Sequence, residues 1–262
     1  MKCFLSALLM VLGVWTLQAL GDQREESLEV LRQRFAATAR TPLEWSETAT
    51  GVRTRLNTGE NVLALTLDAC GSRSGKGYDA ALITYLEKER IPATLFINAR
   101  WIDANPEIFK KLAANPLFEI ANHGLLHKPA SITGRRVYGI DGTRDVAELV
   151  DEIEQNARKV AALTGKRTRY YRSGTAYYDE VAVEVSRSLG HEVIGFSILG
   201  DAGATYTKDQ VRSALLKARP GDIAILHMNH PAGKTADGVM SAIPELRRRG
   251  FRFVKLSEYE LL

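Results

Sequence analysis

Asn61-Val62-Leu63-Ala64-Leu65-Thr66-Leu67-Asp68-Ala69-Cys70-Gly71 is the stretch on which the reading of this chain turns. Positions 62–67 are apolar or β-branched with no polar alternation, as in a strand covered on both faces, the usual state of a strand in a parallel sheet. Asp68 ends that run. An acidic side chain carried by an otherwise apolar strand is either a residue capping the next loop or a group placed for chemistry, as metal ligand or general base.

Outward from this run, the pattern repeats. Further apolar runs lie at 93–97, 118–121, 169–171, 192–196, 223–226 and 251–254. Helical candidates lie at 79–89, 106–114, 143–163, 179–189, 208–218, 236–249 and 257–262. Seven strand–helix units in succession predict an α/β fold with a parallel sheet, and the count favours a barrel over an open sheet. Asp68, Asn98, Asn122-His123, Arg172, Ser197 and His227 each stand directly after a different run. In parallel α/β barrels the C-terminal strand ends form the active-site face, so these six positions are the candidate site.

Upstream, Leu28, Val30, Leu31 and Phe35 suit a helix packed on one side, within 25–40, as an N-terminal appendage. Residues 22–60 therefore read as a helix with an extended lead-in, and 61–262 as the main domain. The first residues, MKCFLSALLMVLGVWTLQALG, have the pattern of a secretory signal peptide over 1–21 with cleavage after Gly21. An uncleaved membrane anchor is the alternative. Cleavage predicts a periplasmic or secreted protein with no stable membrane span, and leaves Cys70 as its sole cysteine. No intrachain disulfide is then possible, and Cys70 is either a small buried hydrophobe or part of a site. Of the 262 residues 45% are hydrophobic, enough for one substantial core. The net charge of +4 is spread along the chain, and its densest run, Arg247-Arg248-Arg249, ends a predicted helix, so no nucleic-acid partner is expected. No protein partner can be read from the sequence.

The segment Asn122-His123-Gly124-Leu125-Leu126-His127 sets two imidazoles four residues apart past a strand end. Two such ligands leave room for a carboxylate and a water around zinc. The plainer reading is a pair of loop histidines with ordinary hydrogen bonds. His227 and His230 also follow a strand, whereas His191 precedes one and is set aside.

Taken together, Thr66-Leu67-Asp68-Ala69-Cys70-Gly71, Asn122 to His127, Arg172 with Tyr177, Asp201 and Leu226-His227 resemble the polysaccharide deacetylases with the NodB-homology domain, over 61–262. The resemblance implies a distorted (β/α) barrel of about seven strands. It implies a divalent metal, with Zn2+ the expected ion, held by His123 and His127, and removal of N-acetyl or O-acetyl groups from an acetylated glycan by a metal-bound water. Asp68 matches the general base, His227 the general acid, and Arg172 with Asp201 the pair that orients and tunes the base. A backbone N–H near Tyr177 is expected to hold the oxyanion. Ala69 departs from the pattern, because a second metal-binding Asp usually stands there. Asp68 itself, the Cys70 thiolate or a water are the candidates for the missing ligand, and Asp68 is the favoured one. The segment 172–177 also lacks the prolines common in the family.

Three regions remain open. Trp101, Tyr138, Tyr177 and Tyr178 are candidates for stacking on sugar rings. The insertion at 128–143 is long for a routine connection and suits a lid or binding edge. The loop 227–235 is either a rim of the cleft or a polar loop capping the next helix through Thr235. Two rival functions are a catalytically lapsed, glycan-binding barrel, suggested by Ala69, and a hydrolase of a different amide.

Overall fold

The computed structural model describes residues 26–262. The expected signal peptide at 1–21 lies outside the described residues. In chain order the strands are β1 (Val62–Ala69), β2 (Ala93–Ile97), β3 (Phe118–Asn122), β4 (Arg136–Val137), β5 (Ile140–Asp141), β6 (Tyr170–Tyr171), β7 (Glu192–Val193), β8 (Ile198–Leu199), β9 (Asp222–His227) and β10 (Arg252–Val254). The helices are α1 (Leu28–Ala36), α2 (Ala80–Lys88), α3 (Ala99–Ala104), α4 (Pro106–Ala114), α5 (Val146–Thr164), α6 (Glu180–Ser188), α7 (Lys208–Leu215) and α8 (Thr235–Arg248).

All eight residues of β1 are buried. Successive side chains of a strand point to opposite faces, and here the two faces meet different surroundings. Leu63, Leu65, Leu67 and Ala69 pack with Leu82, Leu86, Val239 and Ile243 in the layer between sheet and helices, whereas Val62 and Ala64 pack with Phe96, Ile194 and Ile223 inside the curl of the sheet. Each fully buried leucine of this kind contributes about 1.5–3 kcal/mol. The same alternation sends Thr66, Asp68 and Cys70 inward and Ala69 outward.

The sheet is parallel throughout, in the order β7-β6-β3-β2-β1-β9-β8, with β10 paired to the first residues of β1. Its two outermost strands are halves of one run, 192–199. The first half pairs with β6 and the second with β9, so the sheet curls into a distorted barrel whose fifth run changes partner midway. The lead-in fills the break. Arg53 N–H donates to Val193 O and Gly195 N–H to Arg53 O, both at 2.8 Å, and Leu56 N–H donates to Gly221 O at 2.8 Å. Ser197, expected at the active-site end, is corrected by this break. The register resets, and its hydroxyl donates to Asp222 at the opposite end of β9, 2.7 Å away.

Helix starts follow from side chains that accept the first free N–H groups. Asp79, Asp145 and Asp179 cap α2, α5 and α6 at 3.0, 2.8 and 2.7 Å, each worth about 1 kcal/mol. The N-terminal α1 lies on α5, where Leu31 and Phe35 are buried and the Arg32 guanidinium grips Asp151 through both its oxygens at 2.8 Å. Two helix expectations differ. Residues 99–104 form α3, started by the Asn98 side chain, and 257–262 hold only a 3-10 turn at Leu256–Glu258, after which Leu261 pairs with Leu56. No helix among the described residues is long and apolar enough to cross a membrane.

Candidate active site

Asp68, Cys70, His123, Arg172, Asp201 and His227 gather at the C-terminal ends of the parallel strands. Strand pairing places the first of them. Asp68 lies opposite His227 in the β1–β9 register, so their side chains share one face, and Asn122 lies opposite Tyr171, which brings His123 and Arg172 together on the other flank.

Arg172 is fully buried. Its guanidinium donates to Asp68 Oδ1 at 2.7 Å, Thr66 Oγ1 at 2.9 Å, Ile194 O at 3.2 Å and Gly195 O at 2.8 Å. Its plane sits 4.2 Å from the Phe96 ring centre. A buried ion pair offsets its desolvation better the more of its other hydrogen-bonding groups are met, and besides the bond to Asp68 the guanidinium makes three more. Asp68 is thereby held with one oxygen on Arg172 and the other 3.6 Å from His123 Nε2.

The main chain of Arg172 fixes His123. Its carbonyl lies 2.9 Å from His123 Nδ1, which must carry the proton to donate there, leaving the Nε2 lone pair free. Nε2 lies 3.8 Å from Cys70 Sγ. The His127 ring stands nearly perpendicular to that of His123, 4.9 Å away, and its buried Nε2 has no hydrogen-bond partner among the described residues. Ligand atoms of Cys70, His123 and His127 all lie within 4.8 Å of one another. In a tetrahedral zinc site with bonds of about 2.0–2.3 Å, ligand atoms stand about 3.3–3.8 Å apart, so this set fits zinc after a small contraction. Two imidazole nitrogens, one of them an orphaned buried atom, and a thiol form a donor set that suits zinc chemically. Asp68, the sequence-based candidate for the third ligand, lies beside this triad and outside it.

His127 is in the left-handed region at φ +64, a strained place for a non-glycine residue. The loop 172–177 presses on it. A Cβ at Gly174 would come within 2.2 Å of the His127 carbonyl, so glycine is required for that approach. The other end of the histidine loop is held by Asn98, whose amide donates to His123 O at 2.9 Å and Gly124 O at 2.7 Å.

Asp201 differs from its expected place. It follows β8, which pairs with β9, and its carboxylate is engaged by His227, while the Arg172 guanidinium is engaged by Asp68. Its carboxylate accepts from His227 Nδ1 at 2.8 Å, from the His227 main-chain N–H at 2.7 Å and from Thr235 Oγ1 at 2.8 Å. Thr235, a candidate helix cap, is the first residue of α8 and serves as a ligand of Asp201. Burial alone would lower the His227 imidazole, but Asp201 and the neighbouring Cys70 carry it well above its usual value. For Cys70, burial would raise the thiol. The imidazoles of His127, His123 and His227 outweigh that and hold it well below the usual range.

Two of the four candidate stacking aromatics are structural. Trp101 is buried with its indole N–H on Gly77 O at 2.7 Å, and the buried Tyr178 receives Ser173 N–H and donates to Ile194 O, each at 3.2 Å. Tyr177 and Tyr138 come together instead, 5.7 Å apart, with Trp45 of the lead-in 5.7 Å from Tyr177. Tyr138 caps the β4–β5 hairpin of the 128–143 insertion and is 70% exposed. Trp45 carried no signal in the sequence because its partners are some 90 and 130 residues away along the chain. His191, set aside earlier, is buried 3.8 Å from Glu154 and away from this cluster.

The polysaccharide deacetylase family model matches residues 55–194. A chitooligosaccharide deacetylase of Bradyrhizobium sp. (strain ANU 289) is 25% identical over 191 residues, covering 68% of this chain and 82% of the relative. Among solved structures, PdaA of Bacillus subtilis, a family 4 carbohydrate esterase, has a TM-score of 0.64 at 21% identity, over 90% of this chain and 89% of its own. BA3943 of Bacillus anthracis, a pseudoenzyme of the same esterase family, has a TM-score of 0.66 at 19% identity, over 79% and 67%. Likeness at that identity speaks for the fold. The family model takes in more than half of the sequence, and on that ground this chain belongs to the polysaccharide deacetylase family.

Proposed function

We propose that this chain is an exported, metal-dependent hydrolase that removes acetyl groups from an N- or O-acetylated glycan of the cell envelope or its surroundings. The observation that carries the reading is the convergence of two opposed pairs, Arg172–Asp68 and Asp201–His227, on the Cys70, His123 and His127 cluster. His123, His127 and Cys70 would hold the ion. When bound, zinc supplies Lewis acidity, polarising a carbonyl and acidifying water. Asp68 takes a proton from the attacking water, and Arg172 keeps that carboxylate ionised and aimed. His227, kept protonated by Asp201, delivers a proton to the departing amine or alcohol on the other flank. The two roles are separated in space because base and acid sit on neighbouring strands with opposite charge partners. A backbone N–H near Tyr177 remains our assignment for the oxyanion. The signal-peptide reading of 1–21 places the enzyme in the periplasm or outside the cell, where such glycans lie.

Acetate release from acetylated chitooligosaccharides and from peptidoglycan, by protein stripped with a chelator and then restored with zinc, tests this reading. Zinc-dependent release is expected, and His127→Ala should lose both tight zinc binding and activity while the barrel stays folded. A folded His127→Ala with full activity would overturn the assignment. Ala69 and the likeness to a pseudoenzyme favour one rival, a lapsed barrel that binds glycan without turnover, and wild-type protein free of zinc and insensitive to chelators would select it. Cys70→Ala should weaken zinc binding by more than about 100-fold, beyond the 10–100-fold that loss of an outer partner costs. Unchanged zinc affinity in that variant would return the third position to Asp68 or to water.

A further inference from the structure

The loop between His123 and Lys128 carries both histidines, and most of its main-chain N–H groups have no strand or helix to satisfy them. Glu152 on α5 supplies the partners. It is 2% exposed and lies directly behind the loop. Its carboxylate accepts the Leu126 N–H with both oxygens, at 3.0 and 2.9 Å, and the Lys128 N–H at 3.1 Å. Its main-chain carbonyl accepts the Leu125 N–H at 2.8 Å. The fit is close at the loop's first turn, where a Cβ on Gly124 would come within 2.4 Å of Glu152 Oε1.

A buried carboxylate is expensive unless its oxygens are met by donors, and for Glu152 the backbone amides of this loop contribute more than the charge of Arg100. Here the donors are amides on either side of His127, the residue held in the left-handed region. The helix itself has no need of a charge at this position, since Leu149, Val150, Ile153 and Ala157 already give α5 a continuous buried face. We infer that Glu152 is a positioning residue for the metal site: by fixing the amides of Leu126 and Lys128 it aims His127 Nε2 at Cys70 and His123. The inference rests on the reading of those three residues as metal ligands. An amide at this position offers one acceptor oxygen where the carboxylate offers two, so Glu152→Gln frees part of the loop without changing its volume.

The test compares wild type, Glu152→Gln, Glu152→Asp and Ile153→Val. Zinc affinity is measured by competition with a chromophoric chelator, the ligand field is read from the visible spectrum of the cobalt-loaded protein, and unfolding is followed in the metal-free state. Glu152→Gln is expected to bind zinc about 10–100-fold more weakly and to shift the cobalt bands. Glu152→Asp, which keeps the carboxyl group but withdraws it by one methylene, should fall between, and it decides the matter if the glutamine variant does not fold. Ile153→Val loosens the same helix without touching the loop and should keep wild-type affinity and spectrum. Wild-type affinity and cobalt bands in a folded Glu152 variant would overturn the inference, as would equal weakening in Ile153→Val. A wild type that takes up neither ion would overturn the metal reading of the site and this inference with it, a result distinct from variants that match a metal-loaded wild type.

Discussion

Asp68→Asn should fold, take up zinc with little change, and hydrolyse acetylated glycan about 10^3-fold more slowly than wild type, within the 10^2–10^4-fold that general base catalysis supplies. Asparagine matches aspartate in shape. Its Oδ1 still accepts from Arg172, whose other three bonds, to Thr66, Ile194 and Gly195, do not involve the carboxylate. What is lost is an oxygen able to take a proton 3.6 Å from the nearest ligand nitrogen. Turnover and bound zinc are measured on the same samples, because the pair of readings separates two roles. Lost turnover with retained zinc identifies a base. Loss of both together would make Asp68 a ligand, the place first expected for it, and turnover within tenfold of wild type would remove it from the chemistry altogether.

The fold was legible because a doubly covered parallel strand writes its burial directly into the sequence, and all seven runs recur as strands. The run 192–196 was harder. Its change of partner between Val193 and Ile198 is dictated by neighbours, the lead-in at 53–56 and the Arg172 guanidinium, that lie far away in sequence. That break moved Ser197 to the wrong end of the barrel and brought Asp201 to His227. Cys70 was within reach of sequence reasoning. Strand alternation carried two residues past Asp68 returns to the same face, so Cys70 shares with Asp68 the inward direction that Ala69 cannot have, and alternation leaves both as candidates for the third ligand. Glu152 carried no signal at all, since an acidic residue in an amphipathic helix reads as solvent-facing until the loop it supports is known.

Arg172→Met should cost about 3–5 kcal/mol of stability in the metal-free protein, the usual penalty for stranding a buried charge, and abolish activity. For a domain of this size that lowers the melting temperature by about 10 °C. Two losses are combined in this number. One is the unpaired Asp68 carboxylate, and the other is the set of carbonyls at Ile194 and Gly195, which sit at the partner change of the 192–199 run and receive two of the guanidinium's bonds. A double-mutant cycle with Asp68→Asn divides them, measured by urea unfolding. With the carboxylate already neutral, Arg172→Met should cost about 1–3 kcal/mol less than it does alone, and the remainder measures how much Arg172 holds the barrel closed. An equal cost in both backgrounds would show that the ion pair adds nothing and that closure accounts for the whole. The coupled result is the one expected, because the same four bonds that aim the base also fasten the one place where the sheet changes partner. Base placement and barrel closure then share a single side chain, and no substitution at 172 should weaken one without the other.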